Sequence, residues 1–273
     1  MSLARSHSRA SELKIQFPFR GSHSALIFTL RLSLAGTRAF RPATETPSFP
    51  TVNTDRMAAA SARKCLEHVR QFAVRGDAQS VVAAIDKFGS EHWMMNVGEV
   101  KGAVVEAEIE KAKPKVMAEI GGYAGYSAVR FANKLREVVG PEAHYYSFEF
   151  SPEFAGIATE VIEIAGLSEY VTIIVGPFAE THSKLKEIGI DHVDLFFIDH
   201  KKELYLSDVK LIEKSGLLRK GSVLVADNVI CPGAPDYLEY IRNHPNFTSV
   251  FHDSFLEYST TEKDGLEVST FTG

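Results

Sequence analysis

The segment from Val116 to Val129 constrains this chain more than any other. It reads as a short buried strand (Val116 to Ile120), a turn at Gly121 and Gly122, and a helix beginning near Tyr126. A strand that turns through glycines into a helix leaves backbone N–H groups aimed at one spot above the sheet edge, a place for an anionic or zwitterionic ligand. A dinucleotide fold needs G-x-G-x-x-G, because its second glycine lets a pyrophosphate rest on the backbone. Counting from Gly121, the second and third glycine positions hold Tyr123 and Tyr126. A pyrophosphate would collide with Tyr123, so a nicotinamide-dependent oxidoreductase is disfavoured. A smaller ligand, with a carboxylate at the turn and a sugar beyond it, remains open, and S-adenosylmethionine fits that description. An ordinary glycine turn is the other open reading of this stretch.

Downstream, apolar runs alternate with amphipathic ones. Strands are expected at Tyr145 to Phe150, Val171 to Val175, Val193 to Ile198, Ser222 to Ala226, Phe247 to His252 and Leu266 to Phe271. Helices are expected between them, the first opened by Ser151, Pro152 and Glu153 as cap, first-turn proline and first-turn acid. The pattern means an α/β fold, a mostly parallel sheet with helices on both faces. Ligands of such sheets sit at the carboxyl ends of the strands.

Those ends carry the chemistry. Glu149 closes the second strand 28 residues after Gly121, where an acid can accept hydrogen bonds from a ribose; acids often close strands, so this signal alone is weak. The fourth strand ends at Asp199 and His200, the fifth at Asp227 and Asn228. Consecutive strands are usually neighbours, so three hard oxygen donors would meet at one rim. Two carboxylates and one amide oxygen leave about half of an octahedral shell open, which suits Mg²⁺. The competing reading makes Asp199 and Asp227 helix caps, which gives no reason for the adjacent Asn228. Lys202 follows Asp199 by three residues, where a nearby dication would favour the neutral amine and a role as base; a solvated lysine beside Lys201 is the alternative. Pro232 could wall a pocket. Glu257 could accept a hydrogen bond from a substrate hydroxyl or be an exposed loop acid.

Upstream, residues 1–56 carry eight Lys and Arg against Glu12, Glu45 and Asp55, and the remaining chain carries 22 basic and 32 acidic residues. The acidic body argues against a nucleic-acid surface, since phosphates would be repelled. The first 56 residues read as a disordered or targeting extension, mitochondrial in style, or as the product of an early start codon before Met57. Their apolar run, Ala25 to Leu30, is far short of the roughly 20 residues of a membrane span. Residues 57–273 then form one domain, with a helical layer over 57–115: helices at Ala58 to Phe72, Ala78 to Phe88 and Lys101 to Lys113, and an apolar loop from Trp93 to Gly98. Two cysteines cannot build a disulfide framework. A cytoplasmic monomer is expected, or a mitochondrial protein if the extension is a targeting peptide.

From about Arg63 to Phe271 the chain resembles the animal-type catechol O-methyltransferases. The matching blocks are Trp93 to Gly98, Glu119 to Arg130, Asp199 and His200 with Lys202, Gly216 to Gly221, Asp227 to Asp236, and Ser254 to Tyr258. They occur in the family's order, and the block from Asp227 to Asp236 is highly specific. The resemblance implies a Rossmann-like class I methyltransferase with a seven-stranded sheet whose last strand is antiparallel. It implies S-adenosylmethionine across Met95, Val97, Glu119, Gly121, Tyr123, Ser127, Glu149 and Phe150, with Ser127 on its carboxylate, Glu149 on its ribose and His200 near its adenine; Asp199 also borders it. It implies Mg²⁺ on Asp199, Asp227 and Asn228, Lys202 as the base, Glu257 on the second hydroxyl, and Trp93 and Pro232 on the ring of a small catechol substrate.

Two positions depart from the resemblance. Where the family has an aromatic gate between the His and the catalytic Lys, this chain has Lys201, which points to acidic catechols. Where the family has a polar pair beside the adenine, this chain has Phe178 and Ala179, which reads as stacking in its place. Two other functions fit the same residues less well. A cation-dependent methyltransferase of a larger diol ester, such as a caffeoyl thioester, lacks the Asp227 to Asp236 block. A degenerate, non-catalytic cofactor-binding module would have no use for an intact metal set.

Overall fold

The alternation of apolar runs and amphipathic stretches becomes a seven-stranded sheet in the computed structural model, which describes residues 51–273. Three helices lead: α1 (Thr51–Phe72), α2 (Ala78–Glu91) and α3 (Gly98–Ala112). Strand–helix alternation follows, with β1 (Val116–Ile120), α4 (Tyr126–Val139), β2 (His144–Glu149), α5 (Pro152–Ile164) and β3 (Val171–Val175). Two short helices, α6 (Phe178–Thr181) and α7 (Ser183–Glu187), lead to β4 (Leu195–Ile198), α8 (Tyr205–Ser215), β5 (Val223–Ala226) and α9 (Pro235–Asn243). The chain ends with the hairpin of β6 (Phe247–Phe255) and β7 (Lys263–Phe271).

The strand order is β3-β2-β1-β4-β5-β7-β6. Strands β1 to β5 pair in parallel, and β7 runs antiparallel to both of its neighbours. The chain winds outward from β1 to β3 and then returns to β4 on the other side of β1. The order therefore reverses between β1 and β4, which is where a doubly wound sheet opens a ligand crevice.

Successive strand residues point to opposite faces, and both faces are covered. On one, Met117, Tyr145, Leu195, Phe197 and Val225 pack with Val69, Ile85, Ile109, Phe131 and Ile157 of the first five helices. On the other, Ile120, Phe148, Phe196, Ile198 and Leu224 pack with Tyr205, Val209, Ile212 and Tyr237. Phe131 meets Phe197 edge to face at 5.2 Å, and both are fully buried. Phe197→Ala is expected to lower the unfolding free energy by about 3–5 kcal/mol, read by urea titration, because the emptied volume lies between sheet and helix.

Several boundaries differ from the sequence expectation for physical reasons. Helix α2 continues through Gly89, where a Cβ would stand 2.5 Å from the Tyr258 hydroxyl; that glycine makes room for a neighbour and breaks nothing. Where one helix is expected between the third and fourth strands, there are two short ones. The last two strands are each three residues longer than expected, because Phe255 pairs with Lys263 across an antiparallel hairpin that hides its polar ends from the apolar pattern. Of the extension expected over residues 1–56, the last six belong to α1, and residues 1–50 lie outside the described residues. Among the described residues, no helix is long and apolar enough to cross a membrane.

Candidate active site

Backbone hydrogen bonds set the rim. The N–H of Gly121 donates to Phe148, that of Asp199 to Ile120, and that of Asp227 to Ile198. The residues that leave β1, β4 and β5 are therefore held side by side at the carboxyl end of the sheet. A Cβ on Gly121, whose φ is +104°, would lie 2.4 Å from the Asp199 carbonyl oxygen, and one on Gly122 would lie 2.4 Å from Ser147 Oγ. Both positions need glycine because strand ends crowd the turn. Gly121→Ala is expected to push the Asp199 segment outward and to weaken cofactor binding, checked by calorimetry.

Tyr123 reads from the sequence as an obstacle over this turn. Its ring instead packs edge to face on Phe154 at 4.9 Å, and its hydroxyl donates to the Ala58 carbonyl. Its backbone adopts φ +43° and its N–H donates to Glu149 Oε2 at 2.7 Å. Glu149 Oε1 accepts from the Ser151 N–H, so backbone fixes this carboxylate on both oxygens. Burial raises the pKa of Glu149, and those backbone N–H groups oppose the rise. Ser127 is buried in the first turn of α4. Glu119 has no exposure and accepts from Tyr145 at 2.8 Å and Ser147 at 2.5 Å. Burial nonetheless pushes its pKa up to about 7.

That shift has a stability consequence. A carboxyl whose folded pKa lies above its unfolded value stabilises the fold fully at low pH, and the contribution is lost as pH rises from about 4.5 to about 7. Between pH 5 and pH 8, Glu119→Gln should therefore gain roughly 2–3 kcal/mol of unfolding free energy relative to the parent. Urea unfolding of both proteins at the two pH values checks this, and parallel pH profiles would contradict it.

The ends of β4 and β5 hold a denser set. Asp199 Oδ1 accepts from Lys202 Nζ at 2.8 Å, and Lys202 also donates to the Tyr205 hydroxyl at 2.7 Å. Tyr205 is fully buried, and its hydroxyl donates to the Ile198 carbonyl with the Asp227 carbonyl at 3.0 Å. Asp227 is fully buried. Its Oδ1 accepts from the Asn228 N–H at 2.7 Å and lies 2.8 Å from Lys101 Nζ, while its Oδ2 has no partner. Burial first, and the nearby Asp199 carboxylate second, push the Asp227 pKa well above the carboxylate range. Asn228 adopts φ +53°, and its Nδ2 donates to Asp264 Oδ2 at 2.7 Å, which leaves its carbonyl oxygen on the other side.

Lys101 closes this arrangement. It is 1% exposed, hydrogen-bonds Asp264 at 2.8 Å and stands 2.9 Å from Glu257 Oε2. Burial alone would neutralise it; Asp227 and Glu257 reverse that and keep the ammonium charged. Glu257 Oε2 accepts no hydrogen bond of normal geometry, although the Lys101 ammonium lies beside it. Among the described residues, the ion-pair partners of Asp199, Asp227, Glu257 and Asp264 are Lys101 and Lys202, four acidic side chains against two basic ones.

An unpartnered buried oxygen on Asp227, an amide oxygen on Asn228 and an excess of negative charge suit a hard dication. Among the described residues no three His, Cys, Asp or Glu side chains are arranged to hold a metal, so a cation here would use two carboxylates at most and need further oxygens. For a cofactor, the glycine turn offers backbone without Cβ atoms beside buried Glu119, Ser127 and Glu149. His200 adds a buried Nδ1 without a partner, with its Nε2 on Asp208 at 2.7 Å.

Around this rim, Trp93 is 49% and Met95 40% exposed, Val97 is buried at the start of α3, and Phe150 is 73% exposed. Ser61 Oγ donates to the Trp93 carbonyl and steadies that loop. Pro232 is exposed on the separate turn Val229–Gly233. Exposed apolar side chains of this size are what the mouth of a binding site would use. The stacking expected of Phe178 is corrected: it is 5% exposed, and its ring is packed edge to face on Phe148 in the core. Lys101, Asp264, Tyr205 and Asp208 escape the sequence reading. Lys101 alone leaves a trace, since it falls in phase with Val105 and Ile109 on the buried side of α3.

Sheet order, glycine turn and acidic rim together define a Rossmann-like methyltransferase. A family model described as O-methyltransferase matches residues 76–240. Catechol O-methyltransferase B of Danio rerio is 46% identical over 77% of this chain and 79% of its own length. Catechol O-methyltransferase of Bos taurus is 45% identical over 80% of this chain and 79% of its own. The fold is shared with the O-methyltransferase TomG of Streptomyces achromogenes, solved in complex with SAM, at TM-score 0.61 and 21% identity over 72% of this chain and 89% of that one. The chain belongs to the catechol O-methyltransferase family.

Proposed function

We propose that this enzyme transfers a methyl group from S-adenosylmethionine to one hydroxyl of a catechol, with Mg²⁺ held by Asp199, Asp227 and Asn228. The observation that carries the reading is Asp227 Oδ2, a fully buried carboxylate oxygen without a partner in a cluster with surplus negative charge. Bound there, the dication would lower the pKa of a vicinal diol and fix both of its oxygens beside an electrophilic methyl on sulfur.

The protein's own part is to orient and to move one proton. Lys202 Nζ takes the proton of the attacking hydroxyl, and Asp199 and Tyr205 hold that nitrogen in place at 2.8 and 2.7 Å. Glu257 accepts a hydrogen bond from the other hydroxyl. Trp93 and Pro232 cover the ring. Ser127 binds the methionine carboxylate, Glu149 the ribose and His200 the adenine edge. Met95, Val97, Glu119, Gly121, Tyr123 and Phe150 complete the cofactor wall. Methyl transfer is an in-line displacement, and holding donor and acceptor in line supplies much of the acceleration. The same reading keeps the protein a monomer, in a reducing compartment such as the cytosol, which its two free cysteines suit.

Incubation with S-adenosylmethionine, Mg²⁺ and a panel of catechols and monophenols tests the proposal. Monomethylated products are expected from vicinal diols and none from monophenols. No product from any diol, with cofactor binding demonstrated, would refute it. Acidic, neutral and cationic catechols in the panel also probe exposed Lys201.

A further inference from the structure

Asparagine offers a cation either an oxygen or an NH₂ group, and the partner at the far end of the amide decides which. Here that partner is Asp264 at the start of β7, 1% exposed. An ionised carboxylate only accepts hydrogen bonds, so it must hold the NH₂ end of Asn228. It does so at 2.7 Å, and the amide oxygen is the end left free of that contact. The same carboxylate accepts from the N–H groups of Ile230 and Cys231, at 3.3 and 3.0 Å, and so pins the turn that carries Pro232. It also anchors Lys101 at 2.8 Å, whose ammonium reaches Asp227 and Glu257.

We propose that Asp264 is a positioning residue, the acceptor that fixes which end of Asn228 faces the cation and, through Lys101, where Asp227 and Glu257 stand. The inference rests on the reading that Asp199, Asp227 and Asn228 hold Mg²⁺. An acidic side chain that touches neither metal nor substrate thereby sets the polarity of the metal site. Hydrogen-bonded partners behind metal ligands commonly govern affinity by about 10–100-fold.

The test is an exchange of the two side-chain types. In D264N the amide keeps one acceptor where the carboxylate had two, so its NH₂ must face either the Asn228 and Lys101 donors or the Ile230 and Cys231 N–H groups, and the hold on the NH₂ end of Asn228 is lost or loosened. Mg²⁺ affinity, by calorimetry with S-adenosylmethionine bound, is expected to fall at least about 10-fold, with cofactor affinity within about twofold of the parent. N228D adds a carboxylate at the rim, so charge counting alone would tighten Mg²⁺. It is expected to bind no tighter than the parent, because the added carboxylate would face that of Asp264. The double variant N228D/D264N restores one acceptor and one donor across the contact and is expected to bind Mg²⁺ more tightly than either single variant. A purely structural role for Asp264 would not produce that reciprocal rescue. Thermal melts identify any variant that fails to fold; if D264N does, the comparison of N228D with the double variant decides. Unchanged Mg²⁺ affinity in folded D264N, or a double variant no better than N228D, would overturn the inference. A parent protein that binds no Mg²⁺ would instead remove the reading beneath it.

Discussion

Asp227→Asn is expected to lose Mg²⁺ binding on the order of 100-fold or more, although it preserves shape and most hydrogen bonds. The reason lies in the two oxygens of Asp227. Oδ1 is fixed by the Asn228 N–H at 2.7 Å and by Lys101 at 2.8 Å, both donors. An amide must give its carbonyl to those donors, which leaves its NH₂ where the unpartnered Oδ2 now stands. Two N–H bonds then point at the cation. The variant should fold, because the buried charge it removes is one that burial and Asp199 disfavour. Turnover is expected to vanish while S-adenosylmethionine still binds. Calorimetry with Mg²⁺ and a product assay check both, and Mg²⁺ affinity within a few-fold of the parent would remove Asp227 from the metal site.

Lys202→Arg should separate a base from a mere positive charge. Arginine keeps the charge beside Asp199 but cannot release a proton near neutral pH. If Lys202 takes the proton of the attacking hydroxyl, both Lys202→Arg and Lys202→Met lose about 10²–10⁴-fold in kcat. Cofactor affinity should stay level in both, and Mg²⁺ affinity should not fall in Lys202→Met, since an ammonium leaves the neighbourhood of Asp199. A kcat for Lys202→Arg near that of the parent would assign the residue an electrostatic role alone. Asp199→Ala is expected to remove both Mg²⁺ binding and the anchor of Lys202, so its loss in kcat should be no smaller.

Residues whose place follows from a strand's end were legible in the sequence. Apolar runs locate β4 and β5, and the residues directly after them, Asp199, Asp227 and Asn228, have to stand at the rim of a parallel sheet. Gly121 and Gly122 were legible for the same reason. Contacts that join distant parts of the chain were not. Lys101 and Asp264 are 163 positions apart, and no local pattern brings α3 to the start of β7. Tyr205 reads as one more apolar residue of a helix, yet its hydroxyl lies between the ends of β4 and β5. Phe178 shows the opposite failure: position suggests a free aromatic face, whereas Phe148 already occupies it. A one-dimensional pattern reports which face a side chain lies on, and the partner that fills that face is a property of the folded sheet.

The most direct test is a crystal structure grown with Mg²⁺, S-adenosylmethionine or its demethylated product, and a catechol. Mg²⁺ is expected on Asp227 Oδ2, Asp199 and the Asn228 amide oxygen at about 2.0–2.1 Å, with Lys202 Nζ within hydrogen-bond reach of one catechol oxygen. A cation bound elsewhere, or those three side chains turned away from one another in the complex, would contradict the account.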